Sequence, residues 1–251
     1  MIRELSRKEY VELKPLLAIA FTLVMMVTAA IPFVFPYLRA HGLAAHDRET
    51  AELVLRNFRS YPEFVRSDWI ARNLARILCL LALLAGAGAI AGEREARTLP
   101  LLYTSSVRLR SVVIVKFCVI AAWLFLVTFA STGVLTAHSL VEKMPLPVTA
   151  LAVTSLVAWT NSIAFLGVVF AASAFANRTI VAAALAVAGG FIIAALLHPL
   201  GLNGTAFALN LAAPDGSIVW SNVWIDLLAA SAVAGAGLLA TIVEVDRRRA
   251  T

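Results

Sequence analysis

The chain has 251 residues, of which 61% are hydrophobic and only 14% charged, with a mean hydropathy of +0.88. A soluble domain carries about 25% charged residues, so the composition excludes one and indicates a polytopic membrane protein. The formal net charge is +6, but no basic stripe interleaved with aromatics is present, which excludes a nucleic-acid partner. Cys79 and Cys118, both inside apolar runs, exclude a disulfide framework.

A helix needs about 20 mostly apolar residues to cross the hydrocarbon core. Residues 1–14 precede the first such run. There Leu5, Tyr10 and Leu13 alternate with Arg3, Arg7, Lys8 and Lys14, which predicts an interfacial helix with its basic side on anionic lipid. The run 16–38 exceeds the roughly 7–15 apolar residues of a signal peptide and reads as a retained span. The outer loop 39–68 mixes both charge signs and predicts one amphipathic helix broken near Pro62. Further spans are expected at 74–91, 112–137, 148–172, 179–197 and 221–243. The fourth and fifth are separated only by 173–178, a tight hairpin with Asn177 and Arg178 at its tip. The outer segment 198–220 carries Pro199, Gly201, Gly204, Pro214 and Gly216, which punctuate turns. The apolar stretch 205–212 inside it is too short to span, so a re-entrant or interfacial piece is expected. The fold class is therefore all-α: one transmembrane domain over 1–251 with six spans.

Lys and Arg set the orientation. With the N-terminus in the cytoplasm, the inner segments hold Arg3, Arg7, Lys8, Lys14, Arg94, Arg97, Arg108, Arg110, Lys116, Arg178, Arg247, Arg248 and Arg249. That is thirteen of the 21 basic residues, and both termini fall inside, as the positive-inside rule requires.

The segment 92–108 is the one charged, cap-rich insert on the inner side. Glu93 and Glu95 are suited to basic residues on a soluble partner, Arg94 and Arg97 to acidic ones. Leu99, Leu101 and Leu102 form an apolar ridge, and Thr104, Ser105 and Ser106 can cap helix starts. An ordinary solvated loop would account for the same composition. The pattern Glu93-Arg94-Glu95-x-x-Thr98-Leu99-x-x-Leu102-x-x-Ser105-x-x-Arg108 resembles one carried by permeases of type-2 ABC (ATP-binding-cassette) exporters between their second and third spans. The resemblance is carried by residues 92–116, and the six-span layout with a broken outer segment agrees with it. Two departures are Ala96-Arg97, where many members have Arg-Gly or Lys-Gly before Thr-Leu, and Pro100.

The resemblance implies a coupling helix that docks on a separate ATPase subunit, with Glu93, Arg94, Glu95, Thr98, Leu99 and Leu102 transmitting force. It implies a second permease subunit, a copy or a sibling, with the second and fifth spans enclosing the route and 198–220 as an outer gate. ATP and Mg would sit on the ATPase, because no lysine here follows a glycine as a phosphate-binding loop requires. No cofactor, metal or catalytic residue is expected on this chain. It is expected in the cytoplasmic membrane as a transport component.

Small residues permit close helix approach. Gly88 and Gly92 in the second span, and Gly189 and Gly190 in the fifth, serve either packing within one protomer or a dimer seam. Arg72 and Arg76, four apart, lie at the depth of Asp226 in the sixth span, which predicts an ion pair between Asp226 and one of them. His41, His46 and Asp47 have poor spacing for a metal. Two other classes fit parts of the sequence. An intramembrane enzyme would use outer His and Asp residues. A secondary transporter would use a midplane polar group such as Thr160-Asn161-Ser162.

Overall fold

The computed structural model describes residues 2–43, 60–97, 109–141, 146–197 and 218–250. Six helices in it are long and apolar enough to cross a membrane. They are α1 (Ile2–Leu43), α2 (Tyr61–Glu95), α3 (Leu109–Val141), α4 (Val148–Phe175), α5 (Thr179–Leu197) and α6 (Trp220–Ala250). No β-strand occurs among the described residues. The all-α, six-span fold class expected from hydropathy is the fold observed. Residues 98–108, most of the coupling segment, and 198–217, most of the outer segment, lie outside the described residues, as does most of the loop with His46 and Asp47.

Three boundaries depart from the sequence expectation. The N-terminal segment does not separate from the first span: α1 runs continuously through Pro15. Pro15, Pro32 and Pro36 all sit inside this one helix, as membrane helices tolerate where local adjustment or neighbouring groups can satisfy the freed backbone. α2 starts at Tyr61, well before residue 74, with Pro62 in its first turn; the outer helix expected ahead of it lies outside the described residues. The missing N–H of Pro62 costs nothing in a first turn, where N–H groups have no helical partner anyway. The Ser60 side chain accepts from the Glu63 N–H at 3.4 Å, so Ser60-x-x-Glu63 has the form of a capping box. The chain then runs π-helically over Phe64–Leu74 before resuming α geometry at Ala75–Gly86 and Gly88–Glu95. Finally, α6 continues past residue 243 through the arginine run to Ala250.

α4 is the central post. It packs against α2, α3, α5 and α6, and it buries Leu151, Val157, Leu166, Val169 and Phe170. Between apolar helices in lipid there is little hydrophobic drive, so close packing and buried hydroxyl pairs hold the bundle together. Thr28 of α1 and Ser131 of α3 share a hydrogen bond of 2.8 Å, and Thr132 of α3 and Ser155 of α4 share one of 2.6 Å. The Trp159 indole of α4 donates to the Ala121 carbonyl of α3 at 3.0 Å.

The tightest approach joins α4 to α6. A Cβ placed on Gly167 would fall 2.8 Å from Ala234 Cα, and one on Gly237 would run into the backbone of Gly167. Backbone therefore meets backbone, and neither glycine has room for a side chain. Gly235, two residues from Gly237 on the same helix, has open space around it. Gly237→Ala should lower the melting temperature in detergent, reflecting an overpacking cost of about 1–3 kcal/mol. Gly235→Ala should leave it unchanged or raise it slightly, since Ala exceeds Gly in helix propensity by about 1 kcal/mol.

Candidate functional site

The ends of five helices converge where α2 runs out, and three consecutive residues there, Glu93, Arg94 and Glu95, each reach a different element. Glu93 Oε1 accepts from Lys116 Nζ of α3 at 2.9 Å, and both side chains are largely buried. Arg94 Nη1 donates to the carbonyls of Ala174 and Ala176, at 2.7 and 2.6 Å, where α4 ends. Glu95 Oε2 accepts from the N–H of Thr179, the first residue of α5, at 3.1 Å.

The chemistry of these contacts follows from what helix ends lack. The last carbonyls of a helix have no internal partner and carry partial negative charge, and the first N–H groups carry partial positive charge. Arg94 supplies a cation to the first kind of end and Glu95 an anion to the second. The α4–α5 turn, Ala176-Asn177-Arg178, is thus gripped on both sides by adjacent residues of α2. Ser173 fastens the same corner from α4. Its hydroxyl accepts from the N–H groups of Ile90 and Ala91, both at 3.0 Å, and donates to the Ala87 carbonyl at 2.8 Å.

α6 closes the ring. Arg248 donates to the Phe175 carbonyl at 3.0 Å and to Asn177 Oδ1 at 3.3 Å. Its Nε also binds Glu244 Oε1 at 2.5 Å, and Arg247 binds Glu244 Oε2 at 3.1 Å. Arg110, at the start of α3, pairs with Asp246 at 2.6 Å. Arg247, Arg248, Asn177 and Asp246 thereby belong to the junction, which composition alone marks only as basic flanks.

The sequence reading points Glu93, Arg94 and Glu95 at a partner's surface; in the structure each holds a group of its own chain. Thr98, Leu99 and Leu102 lie outside the described residues. Between these two sets stands Arg97, with φ of 56°. This is the left-handed conformation that ends helices and favours glycine, and Arg97 occupies the position where the pattern commonly has one.

Of the four glycines assigned to packing or a dimer seam, Gly189 and Gly190 are packed tightly within the chain, whereas Gly88 and Gly92 have room for a Cβ. Gly88 and Gly92 face Thr179 of α5, Gly189 faces Val168 of α4, and a Cβ on Gly190 would lie 2.7 Å from the Phe165 ring.

The expected ion pair of Asp226 with Arg72 or Arg76 is not formed: no salt bridge joins them among the described residues. Asp226 Oδ2 accepts instead from the Asn161 amide of α4 at 3.1 Å. Matching depth fixes height along the membrane but not the side of the helix. Close α4–α6 packing brings Asn161 to Asp226, while Arg76 of α2 reaches the same region only as part of the wall of a cavity of about 360 Å³. In the midplane group, Thr160 and Ser162 spend their hydroxyls on carbonyls of their own helix, leaving Asn161 as the member that reaches across. The searched, described residues contain no group of His, Cys, Asp and Glu arranged to hold a metal.

The fold defines a multi-pass helical membrane protein whose polar groups concentrate at one helix junction. The profile of the family described as ABC-2 family transporter protein matches residues 7–240, nearly the whole chain. The chain belongs to that family and is a permease of an ABC transporter. Comparison with curated proteins gives no match.

Two changes probe the junction. Lys116→Met strands the Glu93 charge and should cost about 3–5 kcal/mol, whereas the double change Glu93→Gln/Lys116→Met should recover most of that loss; thermal melting of the three proteins measures the coupling. Arg97→Gly relieves the left-handed backbone and should raise stability by roughly 1 kcal/mol, seen as slower hydrogen exchange at the end of α2.

Proposed function

We propose that the chain is the membrane-spanning half of an ATP-driven exporter. It works as two permease subunits, identical or sibling, on two ATPase subunits that bind ATP and Mg, in the cytoplasmic membrane with both termini in the cytoplasm. The observation that carries this reading is the junction at Glu93-Arg94-Glu95. A segment that leaves α2 at residue 96 is rooted in residues bonded to α3, α4 and α5. A push on that segment cannot move α2 alone, and it turns at once into a displacement of several helix ends. Such a shift of packed helices as rigid bodies is an established way of switching between two arrangements.

Within this reading Glu93, Arg94 and Glu95 pass force into the bundle, and Thr98, Leu99 and Leu102 receive it from the ATPase. The inner position of the junction is supported by the distribution of Lys and Arg. Pairing of two permeases is supported by α5: only 11% of its crossing stretch, Thr179–Leu196, is buried within the chain. Its apolar outer face, with Ile180, Leu185, Phe191 and Ile192, is open to a second subunit as well as to lipid.

The test is co-purification with an ABC ATPase expressed alongside it, followed by transport and ATP hydrolysis in the reconstituted complex. Arg94→Ala and Glu95→Ala should still bring down the ATPase, because the receiving ridge is intact. Transport per ATP should fall about tenfold, equivalent to roughly 1.4 kcal/mol at the limiting step. Wild-type transport in both variants would remove these residues from force transmission. An active wild-type transporter containing no ATPase would end the reading altogether.

A further inference from the structure

The junction leaves one set of ionisable groups unused, about 26 Å away along α2 at 1.5 Å per residue. Asn161 of α4, Asp226 of α6 and the exposed Arg76 of α2 line an open-sided cavity of about 360 Å³ bordered by α2, α4, α5 and α6. Ionisable side chains in a bilayer are costly and persist where they pair or serve a pathway. Here they do not pair with each other. Asp226 is only 3% exposed and, among the described residues, takes a single hydrogen bond, from Asn161. Arg76 forms no hydrogen bond or salt bridge among the described residues, although Asp226 shares its cavity. The remaining wall is apolar, with Phe165, Ile193 and Val233.

We propose that this cavity binds a small single-chain zwitterionic amphiphile, with its ammonium at Asp226 and its acidic group at Arg76. Its chain would lie along Phe165, Ile193 and Val233. The charges decide the class. A purely anionic ligand leaves the Asp226 carboxylate facing another anion, and a purely cationic one does the same to Arg76. A ligand carrying both signs satisfies each at once. The volume falls in the range of about 300–1,000 Å³ typical of small-molecule sites, with room for a small head and one short chain. A few placed polar groups in an otherwise apolar pocket is also the usual recipe for orienting such a ligand. This inference rests on the transport reading, for which it supplies the class of cargo.

The experiment uses the full chain, without ATPase, in maltoside micelles, and reads the melting temperature against free ligand concentration. The probes are 2-aminododecanoate, dodecanoate and dodecylammonium at neutral pH. The zwitterion should stabilise at concentrations at least tenfold below either singly charged probe. Arg76→Gln and Asp226→Asn should each erase that preference, whereas Arg76→Lys should keep it. Ala229→Leu, which fills the cavity and leaves the charges, should abolish the zwitterion's effect. Equal potency of the three probes on the wild-type chain, or unchanged preference in both neutral variants, overturns the proposal. Loss of selectivity beside a working, ATP-coupled complex sinks the cargo site alone. Selective binding by a chain that transports without any ATPase upholds the site and sinks the transport reading.

Discussion

The structure depends on the way one pair of adjacent side chains meets two helix ends of opposite polarity. α4 arrives at its turn with bare carbonyls, and α5 leaves it with bare N–H groups. Near a bilayer such groups need partners, because unsatisfied backbone in an apolar medium costs several kcal/mol. Arg94 and Glu95 provide them in the order the polarity demands, cation to the carboxyl end and anion to the amino end. The preceding residue, Glu93, commits itself to Lys116 of α3 instead. Three neighbouring charges, pointing three ways, make the end of α2 the place where the bundle is tied.

The tie matters because the rest of the bundle is unevenly packed. α4 and α6 touch backbone to backbone at Gly167 and Gly237 and form the tightest seam in the bundle. α5 packs chiefly on α4, with lesser contacts to α2, and leaves most of its surface outside. The junction therefore connects the α4–α6 pair to a peripheral helix through polar bonds at their ends. Polar bonds of this kind are directional, and one geometry can be exchanged for another, whereas a packed glycine seam deforms little. Rearrangement is thus steered toward α5 and α2 and away from the α4–α6 seam.

Hydropathy alone made the six spans legible, since about 20 apolar residues in lipid leave few alternatives. The start of α2 was also written in the sequence, as Ser60-x-x-Glu63, but Pro62 drew attention as a breaker when its position in the first turn makes it a starter. The charged insert was legible as special, yet its direction was not. A run such as Glu93-Arg94-Glu95 reads the same whether it faces a partner or its own helix ends, and only the position of the α4–α5 turn decides. The α4–α6 seam escaped for a related reason. Small residues recur at four-residue spacing all round the sixth span, as in Ser231-x-x-x-Gly235, Ala236-x-x-x-Ala240 and Gly237-x-x-x-Thr241, so spacing alone does not say which of them meets a neighbour. Arg76 and Asp226 line one cavity without bonding to each other: residue counting gives height along an axis and says nothing of the gap across it.

The contrast between the two polar regions carries the last step. At the junction Glu93, Arg94, Glu95, Asp246 and Arg248 all meet complementary groups on other elements. Deeper in the bundle the hydroxyls of Thr28, Ser131, Thr132 and Ser155 are matched across helices. Against that background an acid and a base at one level, separated by a cavity, are not a failure of packing. A lipid environment rewards the pairing of such groups. A bundle that keeps them apart spends stability to hold open a space lined by both charges. Space of that kind is useful only to a guest that brings the missing charges with it.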